Sequence, residues 1–120
     1  MQPRTTALLV GVGGAAGASV RWAVLESVEP STSFPVATFV VNVIGCLLLG
    51  LVFVRSGESV QAAVGTGLCG GLTTFSTFAV EVVRLAENDE AAMALSYLVA
   101  SVLFGLGALI GAQHFARSRA

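Results

Sequence analysis

Four hydroxyl side chains and two aromatic rings occupy six consecutive positions, Thr73 to Phe78, shortly after the pair Gly70-Gly71. The segment lies inside a stretch that carries no charged residue and is long enough to cross a bilayer. Glycine and β-branched threonine both weaken an α-helix. Irregular backbone at membrane depth is tolerated only where protein or a watery cavity surrounds it. The pattern therefore predicts a break in a membrane helix that forms a site.

Other polar side chains repeat at helical spacing inside the charge-free stretches. Thr38 and Asn42 are four residues apart, as are Tyr97 and Ser101. Each pair therefore shares one face of a helix, and Gly105 lies one further turn along. Polar groups in hydrocarbon are costly unless they are satisfied, and they mark transport pathways. Two structural explanations stay open: an interhelical hydrogen bond from Asn42, worth about 0.6–2 kcal/mol, and a bond from Ser101 to its own helix.

The chemistry that these side chains offer suits a small anion. Hydroxyl and amide donors replace part of an anion's hydration shell. The ring edges of Phe75 and Phe78 carry positive partial charge, although ordinary packing is the alternative for both rings. No carboxylate lies inside a charge-free stretch, and Glu81 comes closest, so proton coupling is not indicated. Ser76 has no base nearby in the sequence and His114 lies at the predicted end of the last helix, so an enzyme is not predicted.

The composition is that of a membrane protein. The chain has 120 residues, of which 55% are hydrophobic and 11% are charged, against roughly 25% charged residues in soluble domains. A helix rises about 1.5 Å per residue, so about 20 apolar residues cross the hydrocarbon core. The net charge of −1 offers no basic patch for a nucleic acid. The charge-free stretches contain 16, 25, 22 and 26 residues: 5–20, 30–54, 59–80 and 91–116.

The first stretch crosses a membrane only as part of a longer helix. Its length suffices if Arg21 snorkels from its end while Trp22 to Leu25 extend the helix. A cleaved signal peptide is the alternative. The flanking Arg4 fits a signal peptide, whereas the glycines at 11–14 and the missing stop before Arg21 do not.

We therefore predict an all-α membrane protein with a single four-helix domain, residues 1–120. Pro30 and Pro35 bracket the loop before the second helix. The predicted helices cover residues 5–25, 34–54, 59–84 and 91–115, with the third broken near Gly70 to Phe75.

Glycines four residues apart recur in three of these helices. Such pairs let helices approach closely in lipid, within one chain or between two chains. The pairs are Gly13 with Gly17, Gly67 with Gly71, and Gly107 with Gly111.

The arginines divide weakly between the two sides of the membrane. One side carries four arginines and the other carries two, which by the positive-inside rule is a small bias. A protein with so small a bias inserts both ways round, and two such copies form an antiparallel dimer, two-fold dimers being the commonest oligomers. The four are Arg4, Arg55, Arg117 and Arg119, and the two are Arg21 and Arg84.

Three motifs together resemble the Fluc (CrcB-type) family of fluoride channels. The resemblance covers all four predicted helices, and the third motif is the most specific. It implies a dual-topology dimer with two pores in the cell membrane, through which fluoride trapped in the cytoplasm as the anion leaves passively. The motifs are Gly14-Ala15-Ala16-Gly17-Ala18 followed by Arg21, Pro35 through Thr38 to Asn42 followed by Gly45, and Gly67-Leu68-Cys69-Gly70-Gly71-Leu72-Thr73-Thr74-Phe75-Ser76-Thr77-Phe78.

The same resemblance implies roles for individual residues. Arg21 is expected in the vestibule, and backbone carbonyls of Gly70 and Thr73 from both subunits are expected to hold a central structural sodium ion. Tyr97 and Ser101 are expected to form a polar track on the fourth helix. The residues expected to line the fluoride pore are the amide of Asn42, the rings of Phe75 and Phe78, and the hydroxyls of Thr38, Ser76 and Thr77.

The chain departs from the family pattern at Ala37, where glycine is usual, and at Gly105, where a third track hydroxyl is often found. Two alternative functions were weighed. A small dual-topology multidrug/proton antiporter also has four helices, but it needs an acid in its first helix, and residues 5–20 contain none. A non-conducting partner subunit of a heterodimer with a paralogue is the other alternative.

Overall fold

The computed structural model describes residues 1–29 and 34–119, so Pro30 and the rest of the predicted loop up to residue 33 lie outside the described residues. Helices are the only regular structure in the described parts of the chain. We label them α1 (Pro3–Ser27), α2 (Val36–Arg55), α3 (the consecutive pieces Glu58–Val60, Gln61–Cys69 and Gly70–Leu72), α4 (Ser76–Glu87) and α5 (Ala91–Ser118).

Four helical stretches are long and apolar enough to cross a membrane. The third of them contains both α3 and α4, and the other three are single helices. The prediction of an all-α protein with four potential spans is confirmed. The stretches are Pro3–Ser27, Val36–Arg55, Glu58–Glu87 and Ala91–Ser118.

The last helix begins at the predicted residue, Ala91, and the other helix ends differ from the predicted ones by one to three residues. α1 begins at Pro3, where proline fits because the first helical N–H has no partner inside the helix. α2 begins at Val36 rather than residue 34, because Pro35 occupies the position before its first turn with ψ near 78°. α5 continues to Ser118, past the predicted end at 115. Charged residues mark where the apolar pattern stops, but the helical hydrogen bonds continue past them.

The middle of α3, Gln61–Cys69, is a π-helix. Its turns are wider than those of an α-helix because each N–H bonds the carbonyl five residues before it. The side-chain nitrogen of Gln61 donates to the Ser56 carbonyl over 2.8 Å, which links the start of this segment to the end of α2. The π-helix ends at Cys69, four residues before the helical hydrogen bonding of α3 stops.

α1 and α3 approach each other through glycines on both helices. A Cβ atom at Gly13 would collide with the Ala63 carbonyl oxygen, and one at Gly71 with the Gly14 carbonyl oxygen. The two glycine pairs of α1 and α3 therefore pack against each other within one chain. Gly107, by contrast, has no atom within 4 Å of an added Cβ.

The best-buried side chains lie where α2, α4 and α5 meet. Tyr97 and Thr38 are fully buried, and Leu85 is nearly so. The outer faces are apolar and exposed, with Leu8 68% and Val12 71% exposed on α1. An outer surface of this kind suits contact with lipid rather than water. Of the polar side chains of the predicted site, Thr38 and Tyr97 lie in the interior of the bundle, whereas Ser76 is exposed.

Candidate ion pathway

Non-helical backbone separates α3 from α4 at Thr73, Thr74 and Phe75. Thr73 is extended, with φ −81° and ψ 156°. Its N–H and its hydroxyl both donate to the Cys69 carbonyl, over 3.0 and 2.9 Å. Thr73 therefore completes the last turn of α3 and turns the chain away from the helix axis.

Asn42 forms two hydrogen bonds with the main chain of Thr74, the second residue of the break. Its side-chain nitrogen donates to the Thr74 carbonyl over 3.0 Å, and its side-chain oxygen accepts from the Thr74 N–H over 2.7 Å. The amide thus satisfies both main-chain groups that the interruption of the helix leaves without helical partners. The side-chain nitrogen has a second N–H, which this pairing does not use.

The pairing has a consequence for a carbonyl one turn earlier. In an uninterrupted α-helix the Thr74 N–H would bond the Gly70 carbonyl. Because Asn42 takes that N–H, the Gly70 carbonyl loses its α-helical donor. An oxygen released in this way is the type of ligand that a hard cation prefers. The carbonyl oxygens at the break are therefore suitable ligands for a cation.

The hydroxyl of Thr74 caps the start of α4. It accepts the N–H of Thr77 over 3.2 Å and donates to the Thr77 hydroxyl, also over 3.2 Å, with the Ser76 hydroxyl 3.3 Å away. A threonine three residues before a helical N–H is a common N-cap. Sequence reasoning did not select Thr74 as a site residue, although the spacing from Thr74 to Thr77 carried that signal.

Arg21 bonds the last turn of α3, which precedes the break. Its Nε donates to the Gly71 carbonyl over 3.0 Å, near the C-terminal end of α3. A positive charge at a helix C-terminus is favourable because the carbonyl ends carry partial negative charge. The structure therefore joins Arg21 of α1 to the break itself, where the resemblance implied only a place in the vestibule.

The two phenylalanines of the motif differ in exposure. The ring of Phe75 is 79% exposed and lies 5.9 Å, centroid to centroid, from the half-buried ring of Phe78. Phe78 in turn lies 5.1 Å from the ring of Tyr97 on α5. A large apolar ring that projects out of the chain at the break needs lipid or another protein surface around it.

The polar side chains of α5 and α2 meet one carboxylate. The hydroxyl of Tyr97 donates to Oε1 of Glu81 over 3.0 Å. Thr38 lies beside Tyr97. The hydroxyls of Thr38 and Ser101 are buried and have no partner of good hydrogen-bond geometry among the described residues. Sequence reasoning noted Glu81 but left it out of the site, although its position three residues after Phe78 places both on one face of α4.

One cavity of about 400 Å³ gathers part of the predicted site. Five predicted residues do not line it, although the ring of Tyr97 contacts that of Phe78, which does. They are Thr38, Ser76, Thr77, Tyr97 and Arg21. Cys46, Cys69, Thr74 and Gly105 also line its wall. The predicted residues that do line it are Asn42, Gly70, Thr73, Phe75, Phe78 and Ser101.

The described residues contain no group of three or more histidine, cysteine, aspartate or glutamate side chains that could hold a metal ion. No charged side chain lines the cavity either. What the cavity offers is an amide, two threonines, one serine and aromatic edges. Such a lining provides hydrogen-bond donors for an anion without a fixed charge that would hold it permanently.

Comparison with known proteins gives a consistent result. Residues 8–113 match the family described as CrcB-like protein, Camphor Resistance (CrcB). The fluoride-specific ion channel FluC 2 of Rhodococcus jostii is 54% identical over 104 residues, which cover 86% of this chain and 91% of that protein. The fluoride-specific ion channels FluC of Prosthecochloris aestuarii and Oceanobacillus iheyensis are both 40% identical, over 88% of this chain and 89% and 88% of their own lengths.

Proposed function

This chain belongs to the family of CrcB-like proteins, and we propose that it is a fluoride-specific ion channel that exports cytoplasmic fluoride passively. The relatives that carry this name are matched over most of their length, so the resemblance predicted from the three motifs is confirmed. The chain is a multi-pass membrane protein and not an enzyme. The observation that carries the proposal is the charge-free cavity at the α3–α4 break, lined by Asn42 and the Phe75 and Phe78 rings.

The cavity suits a small, strongly hydrated anion. The unused N–H of Asn42 and the hydroxyl of Ser101 are donors, and the ring edges of Phe75 and Phe78 add positive partial charge. The hydroxyls of Ser76 and Thr77 follow Phe75 in the chain, and the buried hydroxyl of Tyr97, beside Thr38, links the ring that packs on Phe78 to Glu81. Conduction requires binding that is favourable enough for entry and weak enough for release. Donors without full charges meet both requirements.

Passive export follows from the energetics of the ion. From an acidic medium fluoride enters cells as the neutral acid and is trapped as the anion at the higher cytoplasmic pH. A membrane potential that is negative inside drives an anion outward by about 2.3 kcal/mol per 100 mV. This driving force acts at the plasma membrane, which is where we place the protein.

We propose further that the channel is an antiparallel dimer. The 79% exposed ring of Phe75 lies at the break and needs a protein surface if it is to face an ion path rather than lipid. Gly107 and Gly111 face open space in the single chain, and close helix approach at such pairs is a common mode of association in lipid. A homodimer fits the weak charge bias, and a heterodimer with a paralogue is the alternative.

A structural sodium ion at the dimer centre is the proposed cofactor. The Gly70 carbonyl loses its α-helical donor to Asn42, and Thr73 is extended, so its carbonyl also leaves the helical direction. Arg21 takes the Gly71 carbonyl between them. Two carbonyls from each of two chains would provide four oxygen ligands, the ligand type that a hard cation prefers.

The alternatives are less well supported. A multidrug/proton antiporter would need a membrane-embedded acid in the first helix, and residues 5–20 of α1 contain none. A non-conducting partner subunit would share the fold and the motifs, and differs only in whether the chain conducts by itself.

Fluoride efflux from liposomes that contain this chain alone tests the proposal. We expect fluoride to leave down its gradient, measured with a fluoride electrode, while chloride is retained in matched vesicles. Protein-free vesicles provide the control for leak. Equal leak of both halides would overturn fluoride selectivity, and absence of flux at a matched density of folded protein would favour the non-conducting subunit.

A further inference from the structure

Six aromatic rings form an unbroken series of contacts through the bundle. Successive ring centroids are 5.8, 5.3, 5.2, 5.1 and 5.9 Å apart, and the ring planes meet at 50–77°. The first three contacts are edge-to-face and the last two are tilted. Edge-to-face contacts are directional, because the positive edge of one ring meets the negative face of the next. In order, the rings are Phe104, Phe39, Phe34, Tyr97, Phe78 and Phe75.

Only the last two rings belong to the cavity wall, so the other end of the series is not explained by the ion path. We propose that Phe34 is a positioning residue for the pore ring of Phe78 and acts through Tyr97. This inference rests on the proposed function, because it concerns how the ring edge at the pathway is aimed.

Tyr97 is the link, and it is fixed on three sides. Phe34 meets its ring at 5.2 Å and 77°, and Phe78 meets it at 5.1 Å and 59°. Its hydroxyl is tied to Glu81 over 3.0 Å, and the residue is 0% exposed. With the hydroxyl anchored, the tilt of the ring depends on the two phenylalanines. A change on the Phe34 side therefore moves the surface against which Phe78 packs.

Phe34 is itself held in place by its own short segment. Its carbonyl accepts the Val36 N–H over 2.9 Å, and the Pro35 carbonyl accepts the Phe39 N–H over 3.1 Å. These bonds hold Phe34 just before α2, where its ring contacts both Phe39 and Tyr97.

An aliphatic residue at position 34 would fill similar volume without fixing an angle. The ring of Phe78, which lines the cavity, would then sample several orientations. Because the positive edge, rather than the ring's bulk, is what favours a small anion, we expect both fluoride flux and the preference for fluoride over chloride to fall.

The test compares Phe34→Leu with Phe34→Tyr, which keeps the ring, and with Phe115→Leu as matched control. Phe115 is 53% exposed near the end of α5, outside the six-ring series, and has Arg119 over its ring. In liposomes with the full-length protein, we expect Phe34→Leu to lower fluoride flux and the fluoride-to-chloride ratio by about tenfold, the scale of one lost edge-to-face contact. Phe34→Tyr and Phe115→Leu should keep wild-type values.

A double variant separates positioning from a general effect on folding. Phe78→Ile alone removes the ring that Phe34 is proposed to aim, so Phe34→Leu in that background should cause no further loss of flux. A further tenfold loss there would mean that Phe34 acts elsewhere, and the inference would be overturned.

Tyr97 is the only tyrosine of the chain, so ring-13C-tyrosine NMR reports on it without assignment. We expect its resonances to shift or broaden in Phe34→Leu and to stay unchanged in Phe115→Leu. Should Phe34→Leu fail to fold, Phe39→Leu loosens Phe34 from its other side and is expected to move the same signal by less. An unmoved Tyr97 signal with unchanged selectivity in the folded variant refutes the inference.

The outcome is separable from that of the proposed function. Wild-type protein without fluoride flux contradicts the channel proposal, whatever the variants do. Wild-type flux together with unchanged flux in Phe34→Leu contradicts only the positioning role.

Discussion

The α1–α3 interface and the α3–α4 break are held together by opposite means. At the interface, side chains are missing on both helices, and backbone lies directly on backbone at Gly13, Gly17 and Gly71. At the break, backbone is pulled out of helical hydrogen bonding and is satisfied by the side chains of Asn42 and Thr74. The first arrangement depends on empty space and the second on polar chemistry.

This difference has a consequence for how each region responds to change. Dispersion and close packing at the interface are lost when any atom is added, whatever its chemistry. Hydrogen bonds at the break are lost when one functional group is removed, even if the volume is kept. We therefore expect size to decide the outcome at the interface and functional groups to decide it at the break. The following predictions test that division.

The largest effect is expected from Gly17→Val. An added Cβ would collide with the Leu68 carbonyl oxygen, which belongs to backbone and cannot move aside. Overpacking commonly costs 1–3 kcal/mol, and a clash with backbone should exceed about 3 kcal/mol, enough to prevent recovery of folded protein. Size-exclusion chromatography in detergent measures the yield.

Gly11→Val is the matched control for that variant. Gly11 lies on the same helix, but an added Cβ there meets no atom within 4 Å. We expect normal yield for Gly11→Val. Normal yield for both variants would mean that α1 and α3 do not approach through glycines.

A second, smaller effect is expected from Asn42→Ala. The substitution leaves the partly buried N–H and carbonyl of Thr74 without partners, which should cost about 1–3 kcal/mol in all. It also removes the donor offered to the ion. We expect fluoride flux to fall about a hundredfold, equivalent to about 2.7 kcal/mol, and the melting temperature of the folded protein to fall with it.

Gln61→Ala is the control for loss of a side-chain amide. Gln61 donates to the Ser56 carbonyl near the end of α2. Its position in the sequence is far from the α3–α4 break. Its flux should match wild type. A folded Asn42→Ala dimer with full flux would remove Asn42 from the pathway and leave it only a structural role.

Asn42 also illustrates what could and could not be predicted from the sequence. The four spans followed from charge-free stretches alone, because hydrophobic length is a local property. The polar face of Thr38 and Asn42 followed from spacing. The partner of Asn42 did not, because a bond to the backbone of Thr74 depends on how α2 packs against α3. The sequence analysis left an interhelical bond open as an alternative to a pore amide, and the structure places the bond on the break itself.

Other features of the structure could not be predicted from the sequence, for similar reasons. The π-helix of Gln61–Cys69 has no signature in its residue types, since glycine and alanine are compatible with several helix geometries. The bonds from Arg21 to Gly71 and from Tyr97 to Glu81 join residues that are 50 and 16 positions apart. Such contacts are properties of tertiary packing, so a motif can mark the residues without giving their partners.

The two rings at the break test the same difference at nearly constant side-chain volume, because their effect on flux is expected to depend on the chemistry of the ring. Phe75→Ile and Phe78→Ile keep apolar bulk but remove the positive ring edge. We expect folded protein with fluoride flux lowered about tenfold at either site, corresponding to about 1.4 kcal/mol. Phe115→Ile, outside the cavity, should conduct normally. Full flux in both pore variants would return the two rings to simple packing.

The smallest effect is expected at Gly70. There, the effect of added size can be separated from the effect of a lost ligand group at a single residue. Unlike Gly17, Gly70 has no atom within 4 Å of an added Cβ in this chain, and valine is no worse than glycine as a helix former. Gly70→Val should therefore fold as a single chain. If the Gly70 carbonyls of two chains hold sodium, the added side chain would crowd that ion and the partner copy.

We accordingly expect Gly70→Val to weaken the dimer and to lower flux about threefold even in saturating sodium, about 0.7 kcal/mol. Thr73→Ala should have less effect, because the proposed ligand at Thr73 is its carbonyl and its hydroxyl is already bonded to Cys69. Dimer dissociation and fluoride flux, each measured in sodium and in N-methylglucamine, distinguish these cases. A Gly70→Val protein that stays dimeric and conducts equally in both cations would exclude a sodium site at the break, because neither crowding nor ion removal would then have an effect. The Gly70 carbonyl would in that case be satisfied within the chain, and the break would depend on Asn42, Thr74 and Arg21 alone.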